Sequence, residues 1–255
     1  MLRKVALSLA VLTVFGLSAQ AQTVDDIIAK YVQARGGMEK LKAVQSTRST
    51  GKMEVGGGLT LPFTVISVRP SKVRIEFTLQ GLTGIVAYDG KAGWQLIPFQ
   101  GKKDAEPMSD EDLKQFSYDS DFDGPLVNYK DKGYKVELAG KEQVEGTDAY
   151  KIKVTLKNGD IHYIFLDTDS FLQIEEKAKI TVRGAQQDVK TVMGDYKEVE
   201  GVMFPFSTQS TVEGDSGGMG GDRKITIEKV EINPKLDNGL FQMPAAKPAD
   251  EKKPQ

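Results

Sequence analysis

Four stretches of the chain carry residue types that could do chemistry. Asp119-Ser120-Asp121-Phe122-Asp123-Gly124 repeats the oxygen-rich first half of a calcium-binding EF-hand loop. The twelfth position of such a loop supplies a bidentate glutamate, but here it is Lys130, and Pro125 directly follows the glycine. The spacing favours a solvated acidic turn over a metal site. Asp167 and Asp169 flank a turn, where aspartate caps its own backbone; an acid/base pair would need a substrate pocket that the sequence does not reveal. His162 is the single histidine, which excludes a multi-histidine metal site, and no Gly-x-Ser-x-Gly elbow supplies it with a nucleophile. Gly214 to Gly221 has no phosphate-loop pattern and joins strand to strand, so it reads as a flexible connection. With no cysteine, disulfides, thiolate catalysis, cysteine-ligated zinc and a lipid-carrying cysteine are all excluded. No catalytic set, metal site or cofactor site emerges, which points to a protein that is not an enzyme.

The elements around these residues are mostly strands. The clearest is the stretch from Tyr150 to Leu166, two β-type runs flanking Asn158-Gly159. Asn-Gly supplies the two positive-φ residues of a two-residue hairpin loop. That loop predicts Leu156 facing Ile161, Val154 facing Tyr163 and Ile152 facing Phe165, which makes one face wholly apolar. The other face carries Lys151, Lys153, Thr155 and His162, with Ile164 and Leu166 among them. His162 then reads as an ordinary strand residue beside Thr155.

Ahead of that hairpin, Thr23 caps a helix whose apolar residues Val24, Ile27, Ile28, Tyr31 and Val32 form one stripe, stopped by Gly36-Gly37. A short second turn spans Met38 to Val44. From Ser46 the period becomes two, predicting strands at Ser46–Val55, Leu59–Val68, Lys72–Leu79, Gly84–Tyr88 and Gly93–Pro98. Met108 to Tyr118 predicts a short helix capped by Ser109, with Leu113 and Phe116 as its apolar face, placed to lie over the sheet or at its rim. Further strands follow at Tyr134–Leu138, Lys141–Val144, Phe171–Val182, Gln187–Val199, Met203–Val212 and Lys224–Ile232. Successive strands joined by tight turns make an antiparallel, mainly β (α+β) fold. The aromatics Phe63, Phe77, Trp94, Phe99, Tyr163 and Phe165 fall mostly on strands and belong to its core.

Arg3 and Lys4, the apolar run Val5 to Leu17 and Ala19-Gln20-Ala21 have the pattern of a secretory signal peptide, residues 1–21, with cleavage after Ala21. The run is short for a membrane span. Residues 22–244 read as one domain, and 245–255, rich in Pro, Lys and Ala, as a disordered tail. Without Arg3 and Lys4 the 34 basic residues fall to 32 against 36 acidic ones. That mixed surface gives no reason to expect nucleic acid as a partner.

Several phrases, in order, carry a resemblance. After the signal comes the helix ending in Arg35-Gly36-Gly37-Met38-Glu39-Lys40-Leu41-Lys42-Ala43-Val44, followed by Gly51-Lys52-Met53 and Tyr150-Lys151-Ile152-Lys153-Val154. Next come Ile164-Phe165-Leu166-Asp167 and the run from Asp195 to Pro205, and the series closes with Ile227 to Pro234. In this order the chain resembles the LolA-like group, the outer-membrane lipoprotein-sorting proteins and their relatives. The resemblance implies an unclosed β-barrel, a curved antiparallel sheet with N-terminal and inserted helices covering an apolar interior. It further implies a periplasmic, monomeric, non-enzymatic carrier of acylated lipoproteins or lipids, with inner- and outer-membrane transport components as partners. An envelope-stress sensor or protein-interaction module on the same fold is the alternative. On this reading the ligand-binding wall comprises Val24, Ile27, Ile28 and Tyr31 of the helix and Val73, Ile75, Phe77, Ile152, Val154 and Phe165 of the strands. The same side chains would otherwise form a plain core. No position in the sequence matches the basic residue that fastens the helical cover in the best-known carriers.

Overall fold

The computed structural model describes residues 22–182, 185–213 and 222–245. The expected signal peptide, the glycine-rich connection Gly214 to Gly221 and tail residues 246–255 lie outside them. Two helices come first, α1 (Val24–Ala34) and α2 (Met38–Ala43), then β1 (Ser46–Val55), β2 (Leu59–Val68), β3 (Lys72–Leu79), β4 (Leu82–Tyr88), β5 (Gly93–Leu96) and the short β6 (Glu106–Pro107). Helix α3 (Asp110–Asp119) follows, and the chain continues through β7 (Lys135–Val144), β8 (Thr147–Thr155), β9 (Ile161–Asp167), β10 (Gln173–Val182), β11 (Ala185–Val199), β12 (Val202–Val212) and β13 (Arg223–Ile232). All described strands join one antiparallel sheet in the order β6-β5-β4-β3-β2-β1-β13-β12-β11-β10-β9-β8-β7, unclosed between β6 and β7. The two runs expected at Tyr134–Leu138 and Lys141–Val144 form the single strand β7, interrupted by a bulge between Leu138 and Lys141.

The sheet is curled, as simple distances require. Phe116 of α3 meets Tyr88 of β4 edge-on, with ring centroids 6.5 Å apart, while Tyr118 bonds to Glu176 of β10. In the sheet order β10 lies seven strands from β4, about 34 Å across a flat sheet. The whole of α3 is only about 15 Å long. Strands that are far apart in the sheet are therefore brought to one short helix, and the face they share is the inside of a trough.

Helix α1 starts with a capping box. The Thr23 hydroxyl accepts from the Asp26 N–H, and the Asp26 carboxylate accepts from the Thr23 N–H at 3.1 Å. Its stripe is buried at Ile27, Ile28 and Tyr31, packed on Ile152 and Val154 of β8 and Ile164 and Leu166 of β9. Leu126 and Val127, beyond α3, belong to the same cluster. A second apolar cluster occupies the other half of the sheet: Met53, Val55, Leu61, Phe63, Phe77 and Ile97, with Ile75, Phe99, Ile225 and Ile227 at its margin. The elbow between α1 and α2 is docked on the β11–β12 turn, where the Met203 N–H donates to the Arg35 carbonyl at 3.1 Å.

The hairpin register differs from the expected one. Gly159, at φ 88°, donates its N–H to the Leu156 carbonyl, and the Leu156 N–H donates to the Asp160 carbonyl. The loop is thus Lys157-Asn158-Gly159, closed by a left-handed glycine, and not Asn158-Gly159 alone. One extra loop residue turns β9 over relative to β8. Val154 faces His162 and Ile152 faces Ile164, while Phe165 faces Lys151 and Tyr163 faces Lys153. His162 therefore lies on the inner face, buried, and not beside Thr155.

Candidate ligand-binding trough

Of the side chains expected to line a cavity, Val24, Ile27, Ile28, Tyr31, Ile152 and Val154 come together where α1 crosses β8. Ile75 and Phe77 lie in the second cluster. Val73 is buried on the same inner face, opposite Ser67 and Tyr88. Phe165 stands apart. The shifted register turns it to the opposite face, where it packs with Val144 and Ala149 beneath the ammonium groups of Lys151 and Lys177, 5.7 and 4.8 Å from its ring centre. The inner-face residues touch one another, so the two clusters are closed, and α3 lies between them.

Helix α3 is held at both ends, and between them Lys114 pairs with Asp160 at 3.1 Å. Leu113 and Met108 approach Gly93 of β5, where a β-carbon would sit 2.3 Å from the Met108 sulfur. At its other end Tyr118 stacks on His162, ring centroids 4.1 Å apart. The Tyr118 hydroxyl donates to Glu176 Oε1 at 2.7 Å, and His162 Nδ1 lies 2.8 Å from the same oxygen. Burial, with the Glu176 charge adding to it, pushes the Tyr118 phenol far above its ordinary pKa, so it remains a donor at every pH at which the protein is handled. Tyr196 is likewise raised by burial and donates to the Gln173 carbonyl at 2.7 Å.

Beyond α3 the acidic run proves to be an ion-pair knot, not a solvated turn. Asp123 pairs with Arg69, and Asp121 with Lys132 at 2.6 Å. Burial raises the pKa of Asp121 even against the Lys132 charge. Among the described residues no group of three or more His, Asp or Glu is placed to hold a metal. Asp167 does what its turn position suggests, accepting from the N–H groups of Asp169 and Ser170 at 2.7 Å each.

Sequence reasoning overlooked Arg69, reading Arg69-Pro70 only as a strand separator. From the end of β2 its Nε donates to the Val44 carbonyl at 2.6 Å and its Nη2 to the Leu41 carbonyl at 2.5 Å, while Nη1 binds Asp123. Phe122 lies under the guanidinium, 4.5 Å from ring centre to Cζ. One side chain thus ties α2, the sheet and the segment after α3. Its partners lie 25 to 54 residues away, and no local pattern announces them. Beside it is a polar cavity of about 250 Å³ lined by Arg35, Arg69, Thr47, Ser67, Phe122 and Phe204, among others.

No protein-family model and no curated protein matches the sequence. Solved structures do match the shape. A DUF1329 family protein from Desulfovibrio piger superposes with a TM-score of 0.59 at 16% identity, over 87% of this chain and 98% of that one. A putative outer membrane lipoprotein-sorting protein domain from Vibrio parahaemolyticus gives 0.56 at 13% identity, over 80% and 94%. A LolA superfamily protein from Nitrosomonas europaea gives 0.54 at 12% identity, over 86% and 97%. The fold is LolA-like. It is an unclosed antiparallel sheet with few helices. At these identities the likeness concerns fold alone.

Proposed function

We propose that the protein is a non-enzymatic carrier that takes the acyl chains of a lipoprotein or lipid between the two clusters of its trough. The observation behind this reading is the mismatch between wall and cover. The inner face is largely apolar on both halves of the sheet, while α3, lying between the halves, is fastened by contacts that include the Tyr118–Glu176 bond, the Lys114–Asp160 ion pair and two aromatic contacts. Such a cover can detach without unfolding the sheet, and an acyl chain can take its place. Each methylene buried contributes about 0.8 kcal/mol, so a few carbons offset the loss of the α3 contacts. Val24, Ile27, Ile28, Tyr31, Ile152 and Val154 form one side of the proposed wall, and Val73, Ile75 and Phe77 the other. On this reading residues 1–21 send the protein to the periplasm, and acylated cargo passes through it as a monomer between inner- and outer-membrane components.

Native mass spectrometry of protein purified from a periplasm, before and after lipid extraction, tests the proposal together with titration of fatty acids of graded length. Trp94 is a poor reporter, because its indole faces away from the trough and donates to the Phe241 carbonyl at 2.9 Å; Phe116→Trp places a fluorophore on α3. The expected result is a co-purifying lipid and an affinity that rises with chain length, by up to about fourfold per methylene. A protein free of lipid that also shows no chain-length dependence would not be a carrier.

A further inference from the structure

Arg35 follows the last turn of α1 and is fixed by its backbone, which accepts from Met203 and donates to the Tyr31 carbonyl. Its guanidinium lies over the Tyr31 ring, 5.7 Å from the centroid. Of its five N–H groups, only those on Nη1 are engaged among the described residues, and both bonds are long: 3.2 Å to the Tyr31 hydroxyl and 3.4 Å to the Asp123 carbonyl. The neighbouring cations are matched, Arg69 by Asp123 and Lys132 by Asp121. No carboxylate oxygen of the described residues lies within 4.0 Å of Arg35. Arg35 thus borders the 250 Å³ cavity with no ion pair of its own among the described residues.

A second observation concerns the opposite wall. Thr47 of β1 and Ser67 of β2 are direct cross-strand partners on the inner face, and both line the cavity. Their neighbours on that face are apolar: Val73 pairs with Ser67, and Ile232 with Thr47. Neither hydroxyl makes a side-chain hydrogen bond among the described residues. Two hydroxyls flanked by apolar cross-strand partners thus face the same space as the Arg35 guanidinium.

We propose that this cavity is a subsite for one oxyanion, a carboxylate or a phosphate group, gripped by Nε and Nη2 of Arg35 and capped by the hydroxyls of Thr47 and Ser67. The planar fork fits two oxygens of such a group, and the hydroxyls supply the remaining donors. Three aspartates also line the cavity: Asp121 and Asp123 each have their own cation, and Asp119 is not without a partner. Leu41, Val202 and Phe204 wall the rest of the cavity and lower the local dielectric, which strengthens the charge interaction. The site is built from residues outside the proposed acyl wall and does not depend on the carrier reading. A free anion and the head of an amphiphile share the chemistry.

The test compares ligand-induced thermal stabilisation at constant ionic strength for inorganic phosphate, acetate, a long-chain fatty acid and its methyl ester, with chloride as reference. The expected result is binding by at least one of the oxyanions that weakens roughly tenfold or more in Arg35→Met, as the loss of a charge-assisted bond predicts. Ser67→Ala, a surface-of-cavity change that leaves the guanidinium in place, weakens it less. Response to phosphate or acetate identifies a free ion as ligand. A response confined to the fatty acid and absent for its ester identifies a head group. The proposal is overturned if none of the oxyanions differs from chloride with the wild-type protein, or if Arg35→Met binds as tightly as wild type. Methyl-ester binding that is indifferent to Arg35 reports on the carrier reading alone, so the two ideas fail separately.

Discussion

Tyr118 and His162 lie ring on ring, 4.1 Å between centroids, and both present a hydrogen-bonding atom to the same oxygen of Glu176. This is where α3 is fastened to the sheet. Tyr118→Phe keeps the stack and removes the phenolic donor, at a cost of about 1 kcal/mol. Amide hydrogen exchange is the appropriate measurement. The α3 amides are expected to exchange several-fold faster while β8 and β9 keep their protection. Uniform acceleration across the sheet would mean that α3 does not open separately.

Arg69 and Asp123 are only 17% and 19% exposed, so their pairing is little screened. Arg69→Met leaves two carbonyls and one carboxylate without their donor, and a loss of about 3 kcal/mol in urea unfolding is expected. Adding Asp123→Asn should restore part of it, because the stranded charge is then gone. Strict additivity of the two changes in a double-mutant cycle would show that the pair is not coupled.

Gly36 has φ 118°, and a β-carbon there would lie 2.2 Å from the Gly201 carbonyl oxygen. Gly36→Ala must therefore undock the α1–α2 elbow from the β11–β12 turn, with a loss of at least about 2 kcal/mol. Gly239→Ala is the control, since nothing lies within 4 Å of its β-carbon position; it should stay within about 0.5 kcal/mol of wild type. Equal unfolding midpoints for the two variants would contradict this account.

Asp89 accepts from the N–H groups of Lys91 and Ala92 at 2.8 Å each, and the Ala92 bond leads in holding its pKa below the ordinary 3.8. A carboxyl whose folded pKa is depressed stabilises the fold above its unfolded pKa, and that contribution disappears as the pH falls through the folded value. Wild type should thus be more stable than Asp89→Ala at pH 7, and the gap should narrow progressively as the pH is taken below 3.8 and through the lower folded value. Asp121 has the opposite sign. Burial raises its folded pKa, so its ionisation opposes folding and acidification relieves that opposition. Thermal melts of wild type and the two alanine variants across the acid range separate the effects; parallel curves for all three would refute both assignments.

Much of the fold was legible because alternation marks strands plainly. Ser46–Val55, Leu59–Val68 and Lys72–Leu79 are strands with those same limits, and α1 and α3 start at the caps their sequences carry. The register of β8 against β9 was not legible, for a physical reason. Asn158-Gly159 closes a two-residue loop and a three-residue loop equally well, and alternation arbitrates only if one face of each strand is polar. In β9 both faces are apolar, Ile164 and Leu166 on one and Tyr163 and Phe165 on the other, so either register buries grease. The arginines were hidden differently. Arg35 and Arg69 are single charges in turns, and what distinguishes them is their company in space.

The closed trough has a further consequence for an empty carrier. A permanently hollow binding site would expose a wet apolar lining to every membrane and every nascent chain it met. Here the large exposed apolar side chains among the described residues are Leu59, Leu82, Leu138, Ile161 and Met243, and the lining is covered by the molecule's own helix. On the proposed carrier reading, capacity is held in a movable part and not as standing volume. On that reading the threshold for loading is set by how firmly the rings of Phe116 and Tyr118, the Glu176 carboxylate and the Lys114–Asp160 ion pair hold α3 down.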